Sequence, residues 1–222
     1  MQQYRITLTG TSPLLKNHDN LDWADEMTAW KNNPDNKKLS IAGDDRTPAF
    51  RWLGCCYHDG QQLAMPQANI MRAIMEGGTQ VPVPGGRGGK TFKAQTQSGM
   101  GSNATPYWPL TLADGRTVPW SAVDDLKNEP DFNNHRARVA DLGFSLLVKR
   151  ALINKSSKHV RVRPQFDTGW TLTGTLFVWD EQLTRDILAT ILDYAGRFKG
   201  LGDWRPGGKT PGPYGMFSAE ID

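Results

Sequence analysis

The stretch from Leu183 to Ile221 constrains the fold more than any other part of the chain. Leu183, Ile187, Leu188, Ile191, Leu192 and Ala195 recur at helical spacing, with Asp180 or Thr184 placed to cap the helix start. Ala195-Gly196-Arg197-Phe198-Lys199-Gly200-Leu201-Gly202-Asp203-Trp204-Arg205-Pro206-Gly207-Gly208-Lys209 follows as a glycine-rich basic loop, and Tyr214 to Ile221 reads as a closing strand. The chain therefore ends helix, loop, strand.

Other elements follow from periodicity. Tyr4 to Thr9 alternates with period two and reads as a strand, ended by Gly10-Thr11-Ser12-Pro13. The next thirty residues are polar and predict an irregular excursion with one short helix. Pro66 suits a first helical turn, Ala68, Ile70, Met71, Ile74 and Met75 keep helical spacing, and Gly77-Gly78 stops the run. Trp108 to Pro119 is extended around an Asp114-Gly115 turn, and Asp141 to Leu152 supplies a further apolar strand. Val160-Arg161-Val162-Arg163 puts two arginines on one strand face, and Gly169 to Trp179 alternates again. In order, the strong elements are strand (4–9), helix (66–76), strand (about 159–165), strand (170–179), helix (181–198) and strand (213–221). That is the β-α-β-β-α-β order of an α+β, ferredoxin-like (RRM-like) core in one domain, residues 1–222. The excess between the first helix and the second strand, centred on an insertion region at about 77–140, then projects from one edge. Loops of that length are seldom idle.

A length of 222 residues, 38% hydrophobic and 22% charged, is a globular composition. No apolar run approaches the roughly 18 residues that span a bilayer. The strand-like start has no signal-peptide core, so an intracellular, cytoplasmic protein without a membrane partner is expected. The net charge of +3 says little, but its distribution says more. No acid occurs from Leu142 to Phe166, which holds Lys149, Arg150, Lys155, Lys158, Arg161 and Arg163. None occurs from Gly77 to Ala113, which holds Arg87, Lys90 and Lys93. Such segregation permits a local positive field despite a nearly neutral total.

In the C-terminal loop, Gly200, Gly202, Gly207 and Gly208 allow close backbone approach, and successive amides can form an anion-binding nest. Arg197, Lys199, Arg205 and Lys209 supply charge, and Trp204 offers a stacking surface for a base. The competing reading is a glycine-rich turn that closes the fold, with Trp204 packed on the sheet. Both stand on sequence alone. The loop Gly85-Gly86-Arg87-Gly88-Gly89-Lys90-Thr91 does not fit the phosphate-binding loop, because its glycine spacing is one residue short and a proline-broken segment precedes it. Cys55, Cys56 and His58 match no standard zinc spacing, so neither a metal nor another cofactor is expected.

Three segments resemble the repeat-associated mysterious protein (RAMP) superfamily: Ile6 to Leu15; Tyr57-His58-Asp59-Gly60 with Met65 to Ile70; and Gly196 to Pro206 with Tyr214 to Phe217. More narrowly, they are similar to phage- and prophage-borne relatives of the CRISPR effector backbone subunit. Residues 80–140 have no counterpart in the resemblance. It implies a ferredoxin-like core, binding of single-stranded RNA, and homo-oligomers or filaments along the strand in a bacterial host cell. In such subunits an inserted hairpin reaches the next copy, and Phe92 to Trp120 is the candidate here.

The leading expectation is a non-catalytic binder of single-stranded RNA. Three alternatives remain open: a mimic that blocks a host complex by engaging CRISPR effector subunits, a metal-independent endoribonuclease using His18 or His159 as acid or base, and a single-stranded DNA-binding recombination protein.

Overall fold

The structure, a computed structural model, describes residues 1–102, 106–153 and 157–222. Its elements run β1 (Gln2–Gly10), β2 (Leu14–Leu15), α1 (Leu21–Asn32), β3 (Ala64–Pro66), α2 (Gln67–Gly78), α3 (Lys93–Ser98), β4 (Met100–Ser102) and β5 (Tyr107–Thr111). Then come α4 (Trp120–Asp124), α5 (Phe132–Asp141), β6 (Ser145–Ile153), β7 (Ser157–Phe166), β8 (Thr171–Val178), α6 (Arg185–Tyr194) and β9 (Phe217–Ile221). The fold is α+β with antiparallel sheets. No helix of the described residues is long and apolar enough to cross a membrane.

The main sheet has the order β3-β5-β8-β1-β9, with β4 also pairing β8. Period-two patterning builds it. Ile6 and Leu8 of β1, Leu172, Leu176 and Val178 of β8, and Phe217 and Ile221 of β9 are all buried. The same face of β1 meets α2 and α6, whose Ile70, Ile74, Leu188, Ile191 and Leu192 complete the core. On the other face, Thr7 and Thr173 lie directly opposite and their hydroxyls are 3.3 Å apart. Asn20 caps α1 through Trp23 N, and Thr184 caps α6 through Ile187 N.

One expectation is corrected here. The strand at 159–165 exists as part of β7, but it belongs to a second sheet, β2-β7-β6. β6 and β7 form a continuous antiparallel hairpin from Ser145↔Gln165 to Ile153↔Ser157. Its buried face is Leu146, Val162, Pro164 and Phe166. The edge beside β8 is instead filled by β4 and β5, from inside the region read as an insertion. Trp108 and Leu110 are buried there, which pulls this short segment onto the sheet despite Pro109.

The two sheets join at the turn after β1. Ser12 O accepts from Trp170 Nε1 at 2.8 Å, Leu15 O accepts from Asp203 N at 2.9 Å, and Pro13 O accepts from Gly215 N at 2.8 Å. The C-terminal glycine-rich loop is thus bonded along the seam between the sheets.

Candidate nucleic-acid interface

A wide turn, Ala195–Lys199, carries α6 into the loop, and Gly200 at φ +64° donates back to Ala195 O at 2.8 Å. Gly202 adopts φ +75°, and any Cβ there would collide with the carbonyl of Leu15. These glycines serve close approach of the chain to itself. The amides of Gly200, Gly207 and Gly208, expected to face a phosphate, are already bonded within the loop. Leu201 N donates to Gly215 O at 2.8 Å, Gly207 N to Lys199 O at 3.0 Å, and Gly208 N to Arg205 O at 3.0 Å.

Arg205 is committed in the same way. It holds the Glu76 carboxylate with two nitrogens, at 2.7 and 3.2 Å, and donates to Lys199 O at 3.0 Å. Burial acts to raise the Glu76 carboxyl, but bonds from Arg205 and Arg72 more than offset it and hold the acid below its usual range. Arg205 therefore ties the loop to α2. Arg163 is another clamp, only 14% exposed, donating to Asp203 at 2.9 Å and to Val162 O at 2.9 Å. Burial acts to lower Arg163, but the neighbouring Cys55 sulfur, the bond and charge of Asp203 and the charge of Asp45 outweigh it and hold the guanidinium above its ordinary range. Arg197 pairs with Asp193 at 2.7 Å, on the surface where such a pair is worth little.

Other basic residues are less firmly held. Lys149 and Arg161 face each other across the hairpin, an unfavourable like-charge pair. Arg161 leans to Asp45 at 3.2 Å, whereas the Lys149 ammonium lies 4.5 Å from the centre of the Trp204 ring. Trp204 is half-buried at φ +47°, with the Tyr214 ring 6.3 Å away. Lys149, Arg150, Lys158 and Lys209 are exposed and Lys199 half-buried, and none forms an ion pair with a carboxylate among the described residues.

Arg87 and Lys90 sit elsewhere, on an exposed loop closed by the Pro82↔Thr91 bridge, and Lys93 starts α3. Lys155 lies outside the described residues. His18 stacks on Tyr57 at 4.4 Å between centroids, while the His159 ring lies against Gly43. His18 lines a cavity that His159 does not, so the two are not assembled as an acid–base pair. Cys56 is buried and its thiol is pushed up to about 12 by that burial. Burial raises Cys55 as well, and no group of three potential metal ligands occurs among the described residues.

Two features escaped the sequence reading. Tyr194 and Phe198 form an exposed aromatic pair, 4.9 Å between centroids, beside Lys199. Their i,i+4 spacing at a basic helix end was the available signal. The carboxylate that receives Arg51, Arg161 and Arg163, Asp45, had no local signal at all. The chain matches no protein-family model, and no curated protein matches it.

Proposed function

We propose that the protein is a non-catalytic single-stranded RNA-binding protein of RAMP type, assembling into oligomers along the strand. The observation that carries this reading is the seat of Lys149 over Trp204, which joins an acid-free hairpin to the glycine-rich loop. It puts an aromatic ring able to stack on a base beside cations that form no ion pair with a carboxylate among the described residues. The strand order supports the ferredoxin-like part of the reading. With β4 and β5 taken together as the second strand, the main-sheet path β1-α2-β4/β5-β8-α6-β9 gives a β-α-β-β-α-β chain order and the spatial order fourth, first, third, second. The core fits RAMP organisation although the second strand is not the one the sequence suggested.

Five uncommitted cations define the expected electrostatics: Lys149, Arg150, Lys158, Lys199 and Lys209. At about 0.7 counterions per phosphate contact on a single strand, log–log salt dependence should have a slope of about −3.5. Charge reversal at Lys149, Arg150 and Lys158 together should bring it to about −1.4, because three contacts are lost. Fluorescence anisotropy with a labelled single-stranded RNA measures both. An unchanged slope in the triple variant, with unchanged affinity, would remove the hairpin from the interface and with it this reading.

A further inference from the structure

A second cavity, about 360 Å³, lies between α1 and β7 and shares Asn17 with the loop cleft. Four cations line it, Lys31, Arg51, Arg161 and Arg163, against two carboxylates, Asp19 and Asp45. Asp45 is only 5% exposed and receives three guanidinium groups: Arg161 at 3.2 Å, Arg163 at 3.4 Å and Arg51 at 3.5 Å. Close charge-assisted bonds run at about 2.7–2.9 Å. One carboxylate cannot saturate so many donors, and Arg51 and Arg161 keep about 30% of their side chains exposed at the cavity. His18 lines the same space, and its Nδ1 is buried without a hydrogen-bond partner. Trp23, fixed by its Nε1 bond to Arg51 O at 3.1 Å, adds a half-buried aromatic wall.

We propose that this cavity is a nucleotide site that takes a phosphomonoester. Its volume is at the small end of the roughly 300–1,000 Å³ typical of ligand pockets, room for one nucleotide and not for a run of them. With Arg163 already held by Asp203, Lys31, Arg51 and Arg161 face Asp19 and Asp45, an excess of one positive charge that favours an anionic phosphate in a space closed to a run of nucleotides. Arg51, Arg161 and Lys31 hold the phosphate, and Trp23, whose ring already meets the Lys127 ammonium at 5.3 Å and packs on Gly54, gives the nucleotide an apolar border. Asn17 lines both this cavity and the cleft that contains Gly200 and Gly202. A strand lying on the loop can therefore place its terminal nucleotide here, and that source of the nucleotide rests on the strand-binding reading above.

The test uses the full chain and a short, internally labelled RNA carrying a 5′-phosphate, a 3′-phosphate or hydroxyl groups at both ends, with nucleoside monophosphates as a separate arm. One phosphorylated end should bind about tenfold more tightly than the hydroxyl-ended strand. Arg51→Gln and Lys31→Glu should abolish that preference and leave hydroxyl-ended binding unchanged. Lys31 is exposed on the last turn of α1, so its variant serves even where Arg51→Gln does not fold. Saturable monophosphate binding lost in both variants, with no strand bound at all, supports the cavity as a site for free nucleotides and ends the strand-binding reading. Equal binding of phosphorylated and hydroxyl ends, with no monophosphate binding, overturns the nucleotide site and leaves strand binding standing.

Discussion

Lys16 is fully buried, and its ammonium faces no carboxylate within ion-pairing distance among the described residues. It donates to Ala64 O at 2.7 Å and to Tyr57 O at 3.3 Å, and it lies 5.0 Å from the centre of the Phe166 ring. Burial lowers its pKa from 10.5 to about 7. A folded pKa below the unfolded one means that the unfolded chain binds the extra proton between those two values. Stability therefore rises with pH across that window, by close to 1.4 kcal/mol per unit. Below pH 7 the full cost is present. His58 and His135, both lowered chiefly by burial, add a loss of stability as pH falls through about 6.5, so they stand outside the window. The buried thiols act with the opposite sign, because unfolded cysteine ionises near pH 9 and the folded thiols do not. The clean interval is pH 7.5 to 8.5, where stability should rise by about 1 kcal/mol or slightly more. Lys16→Met keeps a flexible side chain of similar length and removes the titration. It also removes the donor to Ala64 O, which costs about 1–3 kcal/mol, against the roughly 5 kcal/mol that the proton-affinity change represents. The variant should thus be more stable than the wild type at pH 7 by about 2 kcal/mol and should lose the rise between pH 7.5 and 8.5. Urea unfolding at each pH measures this. A wild-type curve flat over that interval, or the same slope in Lys16→Met, would show that Lys16 does not titrate as its burial requires.

Two further substitutions separate the structural part of the glycine-rich loop from its surface. Arg205→Met breaks the two-nitrogen hold on Glu76 and should destabilise the fold by about 1–3 kcal/mol, read by thermal or urea unfolding. The salt slope for RNA should stay unchanged, and a drop of about 0.7 would instead make Arg205 a phosphate contact. Gly202→Ala meets both a left-handed backbone and the Leu15 carbonyl, so a loss of about 2 kcal/mol or more is expected. Wild-type stability in that variant would show that the loop can lift off the seam.

Much of the main sheet was legible in the sequence because its signals are local. Ile6 and Leu8 alternate, Ile70 and Ile74 or Leu188, Ile191 and Leu192 recur at helical spacing, and each run has its own stop. The strands beside β8 were legible only in part: Trp108 onward reads as extended, but β4 and β5 are short and carry Gly101 and Pro109, which weaken a strand signal, so their place in the main sheet was not. The alternation around Arg161 and Arg163 correctly put both on one face. What meets that face is Asp45 and Asp203, more than a hundred and about forty residues away in the chain. Glu76 and Arg205 are 129 positions apart. Such pairings are set by tertiary approach, and periodicity contains no trace of them.

Those distant acids change what the basic stretches mean. Local composition counts every lysine and arginine of a basic stretch as available, yet Arg163 and Arg205 are anchored by carboxylates distant in the chain. With Arg161 on Asp45 and Arg197 on Asp193 set aside as well, the described residues leave Lys149, Arg150 and Lys158 on the hairpin and Lys199 and Lys209 on the loop. These groups stand on two segments that nothing in sequence order brings together. The seam between the sheets does so, because β2, β7 and the loop all bond to residues 12–16 or to each other there. Clamping is thus the condition for exposure. Arg163, held by Asp203 at 2.9 Å, bonds the hairpin to the loop, and the same bond keeps Lys149 over Trp204. A strand that touched only the free cations would still depend on the arginines it never meets.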